Sequence, residues 1–262
     1  MKRTEISVDI AAFPTPFAGI LQNARVFDSS CSAGARVYYI EKDGGYFLKR
    51  AARGTLEKEA AQTRYFHDLG LSAAVLDYRT EKECDWLLTA RVLGEDCTHR
   101  IYLEDPARLC DLIAAKLRAL HETGTAGCPV QDHTASYIAT VEKNYHSGVF
   151  DPEFLPPVMG DMSAKEAFAY FEAHKSLLET NTLLHGDYCL PNILLDGWGF
   201  SGFIDLGNGG VGDRHVDLFW GAWTLAFNLG TDAYRDRFFD AYGRDMIDLP
   251  RIDLVGIAEC FG

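Results

Sequence analysis

The first strong pattern in the chain is a pair of short segments rich in β-branched and aromatic residues, 36–40 (RVYYI) and 46–50 (YFLKR). This composition favours strands, and the Asp43-Gly44 dipeptide between the two segments is a strong signal for a tight turn. We therefore predict an antiparallel hairpin at this point of the chain.

A helical pattern follows the hairpin. Ala61, Tyr65 and Leu69 recur at four-residue spacing, so they share one face of a helix, and Gly70 is placed to end it. Residues 73–78 and 84–89 then resemble two more strands. The beginning of the chain therefore predicts a β-rich unit with one inserted helix.

The later part of the chain has a mainly helical pattern. Apolar residues recur there at helical spacing, beginning with Leu109, Leu112, Ile113, Leu117 and Leu120. Ser163 with Glu166 forms a capping-box pattern, which predicts another helix start. Two short apolar segments flank Asp196-Gly197, which predicts one small hairpin among the helices. The pattern therefore indicates an α+β protein with a β-rich N-lobe, residues 1–91, and a mainly helical C-lobe, residues 92–262.

Composition and charge narrow the classes of partner. The formal net charge is −13, which argues against nucleic acid or an anionic membrane as a partner. An acidic surface either serves solubility or attracts cationic substrates, and composition does not separate these two interpretations.

No apolar run is long enough to span a bilayer, the N-terminus lacks a signal-peptide core, and the seven cysteines are dispersed. We therefore expect a cytoplasmic protein with reduced thiols.

The segment from Leu183 to Leu218 carries the candidate chemistry. His185-Gly186-Asp187 is followed by Asn192 and then by Asp205, each beside short apolar strands. Protein kinases place a hydroxyl-orienting Asp, an Asn and a second Asp at similar spacing, because phosphoryl transfer needs one such carboxylate and oxygen ligands for magnesium. Asp, Asn and Gly also occur as ordinary turn formers, but three correctly spaced groups around a hairpin favour the catalytic interpretation.

The same segment resembles the aminoglycoside 3'-phosphotransferase family. The family pattern HGDxCxPNxxxD stands here as HGDYCLPNILLD, and GFIDxGxxGxxDRxxDL stands as GFIDLGNGGVGDRHVDL. The stretch LRALH before Cys128-Pro129 and the terminal ECF are further marks of resemblance. The resemblance implies a two-lobed protein-kinase-like fold, ATP or GTP as phosphoryl donor, and Mg²⁺.

The resemblance also assigns roles to individual residues. It implies Asp187 as the catalytic base or hydroxyl-orienting carboxylate, and Asn192 and Asp205 as the magnesium ligands. Asp217 matches the aspartate that supports the catalytic loop in the family.

The β-rich unit must then supply the nucleotide site. Lys49, at the end of a predicted strand, is the natural candidate to hold the α- and β-phosphates. Its carboxylate partner is expected on the following helix, where Glu57 and Glu59 are available and the family pattern favours Glu59. Residues 30–36 would form the phosphate-covering loop.

The purine would be held farther along the same unit. By resemblance, the backbone at Ala90 and Val92 would bond the adenine edge, and Phe47 would lie on the face of the ring. An aromatic residue in a strand is more often part of the core, so the prediction for Phe47 rests on the resemblance alone.

A cationic small-molecule acceptor requires carboxylates. Related enzymes carry acidic residues on a loop before the HGD motif and at the C-terminus, where this chain offers Asp151, Glu153 and Asp161, and then Glu259. The chain departs from the family between residues 220 and 228, where family members tend to have Arg and acidic residues and this chain has Trp220, Trp223, Phe227 and Asn228. These aromatic residues either line the acceptor pocket or belong to the helical core.

Three functions remain in competition. The leading interpretation is transfer of the γ-phosphate of ATP to a hydroxyl of an aminoglycoside antibiotic, which would confer antibiotic resistance. An alternative is a kinase of another small hydroxylated metabolite, such as an amino alcohol or a sugar. A nucleotide-binding regulator without catalysis is disfavoured because Lys49, Asp187, Asn192 and Asp205 are all present.

Overall fold

The computed structural model describes residues 3–31 and 34–262. Within these residues there are eleven strands: β1 (Thr4–Ile6), β2 (Arg25–Asp28), β3 (Ala35–Glu41), β4 (Tyr46–Ala52), β5 (Val75–Glu81), β6 (Cys84–Ala90), β7 (Glu95–Asp96), β8 (Thr182–Leu184), β9 (Ile193–Asp196), β10 (Gly199–Phe203) and β11 (Gly210–Gly212). The same residues form nine α-helices: α1 (Ala18–Leu21), α2 (Glu57–Asp68), α3 (Arg100–Leu103), α4 (Pro106–His121), α5 (His133–His146), α6 (Ala164–His174), α7 (His215–Leu229), α8 (Arg235–Tyr242) and α9 (Leu249–Glu259).

The chain forms two compact units, and their division differs from the boundary expected after residue 91. The first unit contains residues 1–99 together with 191–208, and the second contains 100–190 together with 209–262. The difference arises because β7 pairs with β9, and β9 pairs with β10, in an antiparallel three-stranded sheet. The small hairpin of the later sequence therefore belongs to the β-rich unit.

A six-stranded antiparallel sheet in the order β1-β2-β3-β4-β6-β5 forms the main part of the first unit. Successive side chains of β6 point to opposite faces of the sheet. Trp86 and Leu88 pack with Leu48 in one apolar cluster, whereas Leu87 packs with Ala60 of α2 in another. The sheet is therefore covered on both faces, which fixes its strands as a rigid support for a site.

The turn and the helix end that the sequence predicted in this unit are both present. Asp43 and Gly44 both adopt positive φ, 49° and 96°, in the loop that joins β3 to β4. At the end of α2, the N–H of Gly70 donates to the carbonyl of His67 and the N–H of Leu71 donates to that of Phe66. These two bonds form a Schellman motif, and Gly70 has the left-handed φ of 73° that it requires. The four-residue helix α1, by contrast, was not predicted.

The second unit is mainly helical, and a two-stranded antiparallel sheet of β8 and β11 is the β-structure that it contains among the described residues. The capping box predicted at Ser163 is present at the start of α6, with Glu166 bonding back to the Ser163 N–H. The core of this second unit includes Phe171, Leu184 and Val255, all fully buried. No helix in the described part of the chain is both long and apolar enough to cross a membrane.

Candidate functional site

A cavity in the first unit gathers side chains from strands, from α2 and from residues 191–205. Its walls are formed by a mixed set of apolar and polar residues, among them Val37, Phe47, Lys49, Glu59, Leu87, Thr89, Ala90, Val92, Asn192, Phe203 and Asp205. Each of the residues predicted to bind nucleotide or metal therefore lines this one cavity.

Lys49 lies at the polar end of the cavity and bridges two carboxylates. Its Nζ is 2.8 Å from Glu59 Oε2 and 2.8 Å from Asp205 Oδ1. Burial opposes the charge of Lys49, but the attraction of Glu59 and Asp205 outweighs burial, so the pKa of Lys49 is raised. Lys49 therefore stays protonated as the cation of the cavity.

Glu59 is the more buried of the two carboxylates, with a side-chain exposure of 10%. Burial raises the pKa of Glu59, and the attraction of Lys49 only partly offsets this effect. The other helix candidate, Glu57, is exposed and does not line the cavity. Of the two carboxylates considered on α2, Glu59 is thus the one that contacts Lys49.

Asn192 and Asp205 are held near each other by the backbone of the β9–β10 hairpin. The N–H of Ile204 donates to the carbonyl of Asn192 at 3.0 Å, which joins the residue before Asp205 to Asn192. Asp205 has a φ of 58°, an unusual left-handed conformation for a non-glycine residue and one that tends to occur at functional sites. Its side chain remains 51% exposed and is therefore accessible to a ligand.

These two residues are a chemically suitable pair for magnesium. The described residues contain no group of three or more His, Cys, Asp or Glu side chains that could hold a metal ion. An amide oxygen from Asn192 and a carboxylate from Asp205 are nevertheless hard oxygen donors of the type Mg²⁺ takes, and Mg²⁺ commonly completes its shell with water and nucleotide phosphates. The donor set therefore fits a nucleotide-bound Mg²⁺.

The apolar end of the cavity contains the residues predicted to hold the purine. Phe47 packs on Tyr39 with ring centroids 5.2 Å apart and also faces the cavity. The Ala90 N–H donates to the carbonyl of Ala74, so this amide is engaged within the unit. Ala90 and Val92 both line the cavity. Of the predicted phosphate-covering loop, Cys31 and Ala35 line the cavity, whereas residues 32 and 33 lie outside the described residues.

Asp187 lies in the second unit, on a loop that Asp217 supports. Asp217 is fully buried and accepts hydrogen bonds from the backbone N–H groups of His185 and Gly186, both at 2.7 Å. Burial alone would raise the pKa of Asp217, but the hydrogen bond and charge interaction with His121 and the His185 contacts outweigh it, so the pKa is lowered. The buried carboxylate therefore fixes the backbone immediately before Asp187.

Glu259 is a buried carboxylate of α9 that accepts a hydrogen bond. Tyr137 Oη donates to its Oε1 at 2.8 Å. Burial raises the pKa of Glu259 to about 7, the interactions with Tyr137 and Trp220 oppose the shift, and the charge of Asp187 adds to it. Glu259 therefore lies within electrostatic reach of Asp187.

The remaining predicted acceptor residues are placed differently from one another. Asp151 and Glu153 are exposed, and the N–H of Asp151 donates to the carbonyl of Cys260 at 2.7 Å, which ties this acidic segment to the residue after Glu259. Asp161 is exposed, and among the described residues no hydrogen bond joins it to this region. The structure therefore groups Asp151 and Glu153 with Glu259 more closely than it does Asp161.

Two contributors to this region were not predicted from the sequence. Tyr137 lies on α5, far from the motif, and is recognisable only through its contact with Glu259. His121 is the last residue of the LRALH stretch, which was noted as a mark of resemblance, but its role as a partner of Asp217 was not identified. A histidine at the end of an apolar helix gives no signal of which carboxylate it will meet.

Comparison with known proteins agrees with the motifs. A family model described as "Phosphotransferase enzyme family" matches residues 31–255. A "Probable aminoglycoside 3'-phosphotransferase" of Lactococcus lactis is 49% identical over 258 residues, covering 98% of both chains. An "Aminoglycoside 3'-phosphotransferase" of Niallia circulans is 29% identical over 168 residues, or 64% of each chain.

Solved structures agree on the fold. A crystal structure of an aminoglycoside-3'-phosphotransferase of type VIII has a TM-score of 0.75 at 23% identity and covers 99% of this chain and 94% of its own. An aminoglycoside phosphotransferase of Streptomyces rimosus has a TM-score of 0.76 at 24% identity and covers 97% and 99%. These similarities confirm the predicted α+β, protein-kinase-like fold. With the family model and the 49% identical relative, they establish that the chain belongs to the aminoglycoside 3'-phosphotransferase family within the phosphotransferase enzyme family.

Proposed function

We propose that this phosphotransferase moves the γ-phosphate of ATP to a hydroxyl of an aminoglycoside antibiotic, and so confers resistance to it. Lys49, positioned by Glu59, binds the nucleotide phosphates, and Asp187 orients the acceptor hydroxyl and accepts its proton. Ala90, Val92 and Phe47 hold the purine. We place the protein in the cytoplasm, where ATP is available.

Asn192 and Asp205 are proposed to hold the magnesium ion that accompanies the nucleotide. Bound there, Mg²⁺ supplies charge neutralisation for the phosphate oxygens. Lys49 forms an ion pair with Asp205. Phosphate oxygens of ATP would compete with Asp205 for the Lys49 ammonium.

One observation carries the proposal: Lys49, Glu59, Asn192 and Asp205 all line the same cavity, and Lys49 bridges both carboxylates. Apolar side chains, among them Val37, Leu87 and Phe203, line the same cavity beside this charged group, which suits a purine together with its phosphates. The acceptor class is supported by relatives, among them a structure of the Streptomyces rimosus enzyme "in complex with ADP and streptomycin". The acidic residues Asp151, Glu153, Asp161 and Glu259 suit a cationic acceptor of this kind.

A second candidate is a kinase of another small hydroxylated metabolite, such as an amino alcohol or a sugar. The observation that favours it is the aromatic character of α7, where Trp220 and Trp223 stand in place of the Arg and acidic residues expected from the resemblance to the family. Aromatic rings can hold an amine through cation–π contacts as well as the faces of a sugar ring.

The test is an ATP-consumption screen with purified protein and Mg²⁺. Kanamycin and neomycin are compared with amino alcohols and simple sugars, each with ATP and with GTP, and products are identified by ³¹P NMR. We expect transfer from ATP to at least one of the two aminoglycosides. Turnover of an amino alcohol or a sugar with neither aminoglycoside consumed would replace the first proposal with the second.

A further inference from the structure

Four aromatic side chains of the second unit are in contact with one another, and we call this group the aromatic ladder: Phe154, Trp220, Trp223 and Phe227. Phe154, Trp220 and Trp223 contact one another with ring centroids 5.3–5.9 Å apart, and Phe227 adds to Trp223 at 4.9 Å. The last two rings are stacked, with an interplanar angle of 13°. Three of the four residues lie on α7.

The inner rings of the ladder pack on the core or on one another, and Phe227 at the outer end is exposed. Phe154 and Trp220 pack against the main apolar cluster of the unit, while Phe227 is 70% exposed. The side of α7 that faces the core is formed by other residues, such as Leu218, Ala222 and Leu225. Core packing therefore does not explain the exposed ring of Phe227 that stacks on Trp223. Large apolar groups exposed next to one another commonly mark a binding surface.

The inner end of the ladder coincides with the proposed acceptor site. Trp220 packs against the same apolar cluster as Tyr137, which donates a hydrogen bond to Glu259, and as Cys260 and Phe261, which follow Glu259 in the chain. Seven residues separate Trp220 from Phe227, and at 1.5 Å per residue of helix this is a span of about 10 Å. The ladder therefore begins beside the apolar cluster that carries the end of α9 and extends about 10 Å along α7, a length on the scale of a multi-ring acceptor.

We propose that Trp223 and Phe227 bind, by stacking, a ring of the amino-sugar acceptor that lies beyond the two rings nearest to Asp187. The inference rests on the proposed function, since it takes the first rings to be seated at Asp187 and Glu259. The C–H face of a sugar ring packs on an aromatic face, and an ammonium group on that ring adds a cation–π contact. An aromatic subsite for the distal part of the acceptor thus adjoins the acidic site that the family resemblance implies.

The test compares binding of two probes that share a two-ring core: neamine, which has only that core, and neomycin, which extends it. Phe227→Ser should weaken neomycin binding about 2- to 12-fold, the range expected for one lost aromatic contact, and leave neamine binding unchanged. Leu177→Ser is the matched control, because Leu177 is an exposed apolar residue of the same unit, at 45%. Binding is measured by calorimetry without nucleotide. Trp223→Leu is the second variant, and its thermal melting curve shows whether it is folded.

Each outcome decides the inference. A selective loss of neomycin affinity in Phe227→Ser and Trp223→Leu, absent from Leu177→Ser, supports it. Equal effects on both probes, or no effect on either, overturn it. If the wild-type protein is a dimer and Phe227→Ser dissociates it, Phe227 belongs to a subunit interface, and the inference is also overturned. If the ladder variants selectively lose neomycin affinity but the protein phosphorylates no aminoglycoside, the proposed function fails while the ladder remains a ligand subsite. Failure of the proposed function is therefore distinguishable from failure of this inference.

Discussion

Lys49 and Asp205 are 156 positions apart in the sequence, yet Lys49 Nζ lies 2.8 Å from Asp205 Oδ1. The same ammonium lies 2.8 Å from Glu59, so one cation holds two carboxylates of the cavity. The pair places a proposed phosphate-binding group beside a proposed metal ligand. Five further consequences concern this pair, Asp187, Glu259 and the acidic segment tied to the end of α9, and each can be measured.

The Lys49–Glu59 contact should show strong coupling. Lys49→Ala leaves the buried Glu59 carboxylate without its cation, so we expect the free energy of unfolding to fall by about 1–3 kcal/mol and the KM for ATP to rise about 10-fold or more. Adding Glu59→Ala should recover part of the stability but none of the ATP affinity. Urea denaturation and steady-state kinetics of the two single variants and the double variant complete the cycle. Additive stability losses would contradict the coupling.

Asp205 should control the dependence of activity on magnesium. Asp205→Asn keeps the left-handed backbone, which Asn tolerates, and removes the carboxylate. We expect the Mg²⁺ concentration for half-maximal turnover to rise about 10-fold, since one anionic ligand is lost. Asp196→Asn is the control, because Asp196 is an exposed carboxylate of the same hairpin. An unchanged magnesium requirement in Asp205→Asn would refute the metal assignment.

Asp187 should be needed for transfer but not for nucleotide binding. Asp187→Asn retains the shape of the side chain and loses its charge, so turnover should fall about 10²-fold or more. ATP affinity, measured by calorimetry, should stay within experimental error of the wild-type value. A large loss of ATP affinity instead would mean that Asp187 acts on the nucleotide rather than on the acceptor.

Glu259 should make stability depend on pH near neutrality. Its pKa in the folded protein is about 7, above the ordinary value of 4.5, so its stabilising contribution is complete below pH 4.5 and is lost as pH rises through 7. One pKa unit corresponds to about 1.4 kcal/mol, so the loss is on the order of 3 kcal/mol. The free energy of unfolding of Glu259→Gln, compared with wild type from pH 5 to pH 8, should lack this change. A difference between the two proteins that is constant with pH would contradict it.

The acidic segment before α6 should act on acceptor binding. Asp151→Asn or Glu153→Gln should raise the KM for a polycationic acceptor about 2- to 5-fold with little change in kcat, the mark of lost uniform binding. The effect should shrink at high salt, because the attraction of exposed charges is screened. Asp161→Asn should have a smaller effect, since the hydrogen bond to Cys260 ties Asp151, and not Asp161, to the end of α9. Equal KM changes for all three variants would argue for a general charge effect.

Features set by neighbouring residues were predictable from the sequence. The hairpin turn at Asp43-Gly44, the helix end at Gly70 and the capping box at Ser163 depend on backbone conformations that a few adjacent residues dictate. The motif around Asp187, Asn192 and Asp205 identified the family because phosphoryl transfer needs these residue types at this spacing. These inferences required no knowledge of which segments meet in space.

Tertiary structure alone decided which distant groups touch. No local sequence pattern predicted that β7 pairs with β9. Because of this pairing, residues 191–208 belong to the first unit. The choice of Glu59 over Glu57 as the contact of Lys49 follows from which side of α2 faces the sheet. The pKa of Glu259 arises from burial and from contacts such as that with Tyr137, 122 positions away in the sequence, and the contact of Phe154 with Trp220 likewise joins distant segments. Burial, contact and charge coupling are properties of the folded arrangement, and no local pattern of residues encodes them individually.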